Sequence, residues 1–308
     1  MSYQWKAGEG VANGFRRIAV EELTEALDGL ADPTVLGVEA TVHGARKHCK
    51  KVRGLARLVR PGLAKADFRA VNQGTRDAAA ELSSFRDAHA LLATFDRLLV
   101  APAGELERHD LDVVRDELAR RADEASRAVA TGGDKVEAAR AGLEAVREIV
   151  VDCDVEDDLD VLLLGARTTY ERGRDAMTQA AKAEHDEDLH EWRKREKDLW
   201  YATRLVAAAA PAVLGPQAKL LHVLSEDLGD DHDLAVLSDL VGVDPEAFGG
   251  EDAARPALDR ASRARTDLQH HAFGLGGQVY AESPKAFTRR LKAYWRAWEH
   301  GDPDLPAD

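Results

Sequence analysis

The chain is 308 residues long, with 44% hydrophobic residues, 32% charged residues and a formal net charge of −14. These values belong to a globular protein with a sizeable core, long enough for two domains or two halves of one. No run approaches the roughly 20 apolar residues that cross a bilayer, and residues 1–10 lack the basic-then-apolar order of a signal peptide, so no membrane partner and a cytoplasmic location are expected. Cys49 and Cys153 lie far apart and lack the paired spacing of a zinc site or a disulfide framework, so both are expected to be reduced packing residues.

Helical periodicity runs through the chain. Ala19, Leu23, Leu27 and Leu30 recur at intervals of four, four and three, which predicts one apolar helix face, with Glu21, Glu22 and Glu25 on the other. Residues 40–66 then hold eight basic residues, Arg46, Lys47, Lys50, Lys51, Arg53, Arg57, Arg60 and Lys65, and no acidic one. Taking those eight charges from a total of −14 leaves the rest of the chain near −22, so positive charge is concentrated locally, as a polyanionic ligand requires. Pro61 with Gly62 stops this basic helix. Further breakers at Pro102, Gly132-Gly133, Pro211 to Pro216 and Pro245 to Gly250 cut the chain into pieces of helix length. Six acidic residues within 152–160 mark an exposed connection. Ser283 followed by Pro284 reads as the N-cap and first position of a last helix ending near Trp298, and the Pro- and Asp-rich tail 300–308 is expected to fray. Nothing reads as a strand, so the fold class is all-α.

Shifting the second half back by 147 positions reveals a repeat. His43-Gly-Ala-Arg46-Lys47-His-Cys-Lys50 lies over His190-Glu-Trp-Arg193-Lys194-Arg-Glu-Lys197, and Arg57-Leu-Val lies over Arg204-Leu-Val. With one residue of slippage, Leu82-Ser-Ser-Phe-Arg86-Asp87 lies over Leu228-Gly-Asp-Asp-His232-Asp233. Matches in the same order indicate a duplication, which divides the chain into 8–151, the connection 152–160, and 161–299.

On a helix, His43, Arg46, Lys50, Arg53 and Arg57 form one stripe about 20 Å long, while Val42, Cys49, Val52, Ala56 and Val59 form a face fit for burial. The equivalent stripe in the second half is His190, Arg193 or Lys194, Lys197 and Arg204, with Tyr201 beside it. Like charges at these spacings destabilise an isolated helix by a few tenths of a kcal/mol per pair, so two stripes call for a compensating partner. A run of like charge is often only a solvated face; its duplication favours a ligand.

These residues carry a resemblance. His43-x-x-Arg46-x-x-x-Lys50-Lys51-x-Arg53 and His190-x-x-Arg193-Lys194-x-x-Lys197-x-Leu199-x-Tyr201 resemble the two signature helices of the CHAD family, the histidine-containing α-helical domain. Thr169-Tyr170-Glu-Arg172-Gly-Arg174 resembles the helix preceding the second signature, and Leu228-Gly-Asp-Asp-His232-Asp233 the family's Leu-Gly-x-x-x-Asp element. The resemblance spans about residues 8–299. It implies a helical bundle of two four-helix repeats related by a pseudo-twofold axis around a basic central groove or pore, binding inorganic polyphosphate and able to localise to polyphosphate granules. Trp192, Glu191, Glu196 and Asp198 depart from the pattern and make the second stripe less positive, so the first repeat is expected to contribute more.

The expected contacts are Arg46, Lys47, Lys50, Lys51, Arg53, Arg57, Arg193, Lys194, Lys197 and Arg204, with hydrogen bonds from His43, His190 and Tyr201; Arg16, Arg174, Arg289 and Lys292 are weaker candidates. No cofactor, metal or catalysis is expected. A nucleic-acid binder shares the phosphate chemistry but would usually add stacking platforms, and only Trp192, Trp200 and Tyr201 lie near a stripe. A metal-dependent phosphohydrolase could draw on Glu187 with His190, or His232 with Asp233, yet Asp230, Asp231 and Asp233 more simply pair with arginines or cap a helix. A scaffold without phosphate ligand is the remaining alternative.

Overall fold

A computed structural model describes residues 3–31, 38–82, 87–100, 104–130, 133–183 and 185–300. Among them are eleven α-helices and, in place of strands, one isolated antiparallel bridge between Leu63 and Val155, so the chain is all-α. No described helix is long and apolar enough to cross a membrane. The tail 301–308, Pro102, Gly132 and residues 83–86 of the second repeat match lie outside the described residues.

The first helices are α1 (Val11–Ala31), α2 (Val38–Leu58) and α3 (Lys65–Glu81), followed by α4 (Asp87–Leu98), α5 (Glu105–Ala130) and α6 (Gly133–Asp152). In α1 the spacing argument holds, since Ala19, Leu23, Leu27 and Leu30 are buried with Phe15 and Ile18. Glu22 departs from it: instead of facing solvent it is buried, because His48 and Lys51 of α2 meet its carboxylate at 2.6 and 2.9 Å. The apolar face of α2 is buried as expected, with Val42, Cys49, Val52, Ala56 and Val59 all at most 2% exposed. A 3-10 turn through Pro61 and Gly62 ends that helix. α1, α2, α3 and α6 pack as a ring of neighbours around one core.

All six acidic residues of the connection 152–160 are exposed, as its charge predicts, while two apolar residues between them face inward. Cys153 and Val155 are buried, Glu156 donates its backbone N–H to the Gly62 carbonyl at 3.0 Å, and Asp157 accepts from the backbone N–H of Ala12 at the start of α1. Both cysteines are free and buried, and burial pushes the Cys49 thiol up to about 11.

The remaining helices are α7 (Leu159–Ala183), α8 (Asp186–Val206), α9 (Pro211–Val243), α10 (Glu251–Val279) and α11 (Pro284–His300). Pro211 begins α9 at its first position, but Pro216 lies inside the helix and does not end it, at the cost of one ladder hydrogen bond. Gly249 and Gly250, both at positive φ, turn the chain into α10. The Ser283 hydroxyl accepts the Ala286 N–H at 3.2 Å, which caps α11 as its Ser-Pro start predicts. α7 packs on α8, and α8 on α9. A second core joins α4 and α5 to the far ends of α9 and α10 through Phe95, Leu111, Leu118, Leu237 and Phe248. Helices from the first half of the chain thus complete a bundle begun by the second.

Candidate functional site

α2 and α8 pack against each other, and a glycine allows their close approach. A Cβ at Gly54 would lie 2.8 Å from the Cβ of Tyr201, so any larger residue would push the helices apart. Tyr201 is 6% exposed, its ring meets the Tyr3 ring edge-on at 6.0 Å, and burial drives its phenol up to about 12. It is a packing residue at the crossing that also forms part of the wall of the adjacent cleft.

That cleft has a volume of about 170 Å³. α2 supplies Lys50, Arg53 and Arg57 to its lining; α8 supplies Arg193, Lys194, Arg195 and Lys197, with Asp198 as the one carboxylate of the lining and Glu191 pairing with Lys194 and Arg195 at 3.6 and 2.9 Å. The Asp198 oxygens are divided, Oδ1 accepting from Arg57 at 2.7 Å and Oδ2 from Arg195 at 3.0 Å. Burial raises the Asp198 carboxyl, and Arg57 and Arg195 pull it back. The Asn72 side-chain carbonyl of α3 accepts long hydrogen bonds from Arg53 and Arg57, both 3.4 Å. Burial, then repulsion from Arg57, depresses the Arg53 guanidinium, and Asp198 pulls it back. Chemically this is a donor-rich cleft whose guanidinium and ammonium groups suit anionic oxygens.

The sequence pattern of the CHAD domain matches residues 18–242, from α1 through α9, including both helices of the cleft. The chain belongs to the CHAD family. No curated protein matches it. The matched span is shorter at both ends than the resemblance across residues 8–299, and leaves α10 and α11 outside.

Within this CHAD domain the stripe residues separate. His43 and Lys47 are exposed on α2, and Arg46 is half-buried with its guanidinium donating to the Ala79 carbonyl at 2.9 Å; none of the three lines the cleft. Lys51 faces the other way, held by Glu22 and lying 5.3 Å from the Tyr3 ring centre. Arg204 stacks over Tyr3 and Trp200 at 5.2 and 5.0 Å, one turn beyond the cleft lining. Helical spacing puts Arg204 on the stripe, and the basic segment and CHAD motif put Lys51 among the contacts, but a neighbouring aromatic or carboxylate claims each of them instead.

His190 lies beside the cleft rather than in its lining. Its ring stacks on His232 of α9 at 4.2 Å, and burial, then His232, Lys194 and Arg193, push it down to about 4. Among the weaker candidates, Arg16 donates to the Val151 and Cys153 carbonyls at the end of α6, and Lys292 pairs with Asp160 at 2.8 Å. Arg174 and Arg289 are exposed on α7 and α11, away from the cleft lining. Asp230 and Asp231 pair with Arg97 and Arg265, as their arginine-rich surroundings would have it. Among the described residues no group of three His, Cys, Asp or Glu side chains converges as metal ligands.

Two acidic departures of α8 change meaning. Glu196 is completely buried, and burial pushes its carboxyl well above the ordinary range, which favours the neutral acid. Asp198 is spent on two arginines. Glu191, the third, pairs with Lys194 and Arg195 as charge counting expects, and α8 still gives the cleft lining four cations against three from α2.

The residue missed by sequence reasoning is Arg195. It stands two positions from Arg193, off the i, i+3, i+4 stripe, and its spacing to Glu191 and Asp198 reads as intrahelical pairing. Arg60 and Arg172 were also passed over; with Arg57 and Arg195 they line a second cavity of about 400 Å³ that shares Arg57, Arg195 and Asp198 with the cleft. Arg172 stood in the Thr169 to Arg174 motif, a signal that could have found it.

Proposed function

We propose that this CHAD domain binds inorganic polyphosphate in the cleft between α2 and α8 without turning it over. One observation carries the reading: seven cations from two helices line one cleft, with Asp198 as the one carboxylate of that lining. Every internal unit of a polyphosphate chain is anionic and offers free oxygens, so arginine forks and lysine ammonium groups can engage successive units without reading a sequence. The acidic remainder of the chain repels polyanions from other surfaces and directs them to this site. Asp198, buried and held by two guanidiniums, is a poor general base, which supports binding rather than hydrolysis.

In this reading α2 and α8 are equivalent helices of two repeats, and the cleft lies at their meeting. Recruitment to polyphosphate granules follows from the same contacts. Titration with long-chain polyphosphate, in competition with single-stranded DNA and RNA at equal phosphate concentration, tests the proposal. Polyphosphate should win, and its affinity should fall on the order of a thousandfold between about 50 and 200 mM salt if about six phosphates are engaged. Preference for nucleic acid, absence of polyphosphate binding, or phosphate release from the polymer in the presence of Mg²⁺ would overturn it.

A further inference from the structure

The second cavity shares Arg57, Arg195 and Asp198 with the cleft but has a different chemistry. Pro61, Phe68, Leu164 and Gly165 give it an apolar wall. Leu164 is 52% exposed, an aliphatic side chain left uncovered on α7. The Arg60 guanidinium lies over the Phe68 ring at 4.7 Å. Gly165 fixes how closely α7 approaches α2, since a Cβ there would lie 1.8 Å from the Leu58 carbonyl oxygen. The hydroxyls of Thr168 and Thr169 donate to the Leu164 and Gly165 carbonyls at 2.9 and 2.8 Å. Polar recognition in the cavity therefore falls to guanidinium groups, with Arg60 and Arg172 adding to the shared pair.

A bare phosphate chain would leave that apolar wall wet. A ligand with phosphates at one end and a flat, weakly polar group at the other would cover it. We propose that the cavity takes the nucleoside end of a nucleoside polyphosphate whose phosphates lie in the α2–α8 cleft. The inference rests on the cleft being a phosphate site. The wall contacts a base through its face and supplies no matched donor and acceptor for its edge, so purine identity is not read.

The test is calorimetric titration with ATP, GTP and inorganic tripolyphosphate in the presence of a chelator, with long-chain polyphosphate in parallel. ATP and GTP should bind within about threefold of each other and about tenfold more tightly than tripolyphosphate, the gain expected from one base packed on an aromatic wall. Phe68→Ala and the surface change Leu164→Ala should each bring ATP down toward tripolyphosphate while leaving tripolyphosphate binding unchanged, which also reports an intact fold. Tripolyphosphate binding as tightly as ATP, or Leu164→Ala weakening both ligands equally, would overturn the inference. If long-chain polyphosphate binds and ATP gains nothing, this inference alone fails; if no phosphate ligand binds, the reading of the cleft fails with it.

Discussion

α5 and α8 are both helices rich in cations and acids, and they use them in opposite ways. On α5, Arg115 reaches Asp96 of α4 at 2.7 Å, while Arg120 and Arg121 both close on Glu117, which Arg120 above all pulls down to about 2. Its guanidiniums are matched by carboxylates one helical turn away or on the next helix. On α8, Glu191 pairs with Lys194 and Arg195 in the same way, but Glu196 is driven toward its neutral form, Asp198 is divided between Arg195 and Arg57 of α2, and four cations of the helix line one cleft with three from α2. Local positive charge is therefore a weak guide to a binding site; the ratio of cations to reachable carboxylates, set by packing, is a better one.

The largest effect should come from reversing charge in one region and not the other. Arg53→Glu with Lys197→Glu should lower polyphosphate affinity by roughly a thousandfold, with helix content by circular dichroism unchanged, because each reversal replaces a phosphate contact with a repulsion. Arg120→Glu with Arg121→Glu on α5 should change affinity by less than about threefold, a long-range charge effect only. Equal losses from both pairs would dissolve the contrast between the helices.

Next in size is removal of the shared carboxylate. Asp198→Ala should cost about 2 kcal/mol of stability, since it leaves two partly buried guanidiniums facing each other. The same change should tighten polyphosphate binding, because the ligand no longer competes with Asp198 for Arg57 and Arg195. Urea denaturation with and without polyphosphate separates the two effects: the free protein loses stability and the bound protein recovers most of it.

The smallest effects sharpen the electrostatics of α8. His190 is pushed down to about 4 from an ordinary 6.5, so the unfolded chain takes up its proton first as pH falls. Its contribution to stability is present above pH 6.5 and is lost between about 6.5 and about 4, by about 1 kcal/mol after allowance for solvent screening. His190→Gln should flatten that segment of a stability-against-pH curve. Glu196 is raised instead, so its contribution is present below 4.5 and declines as pH rises through its elevated value. Glu196→Gln should therefore gain stability over the parent as pH increases, measured by denaturation at acid and alkaline pH.

Much of the fold was legible before any coordinates. Apolar intervals of three and four located α1 and the buried face of α2, and Ser283-Pro284 located the start of α11. Pro216 misled, because a proline in the second turn of a 33-residue helix removes one hydrogen bond and the packing of the rest outweighs it. In the site, Lys50, Arg53, Arg57, Arg193, Lys194 and Lys197 were legible as a stripe, while Lys51 and Arg204 shared the composition but not the destination. Helical spacing fixes which side chains share a face; it does not say which neighbouring helix waits there.

By itself the sequence determined that the chain is helical, that its positive charge is concentrated in residues 40–66, and that it carries the CHAD pattern, because periodicity, composition and motif spacing are properties of the linear chain. Only the tertiary structure decided which cations meet. Gly54 lets α2 and α8 close together, Glu22 draws Lys51 away, burial pushes Glu196 toward its neutral form, and Asp198 ties Arg57 of α2 to α8. Each depends on residues between 29 and 147 positions apart in the chain or on the loss of solvent, and neither can be read from the spacing along one helix.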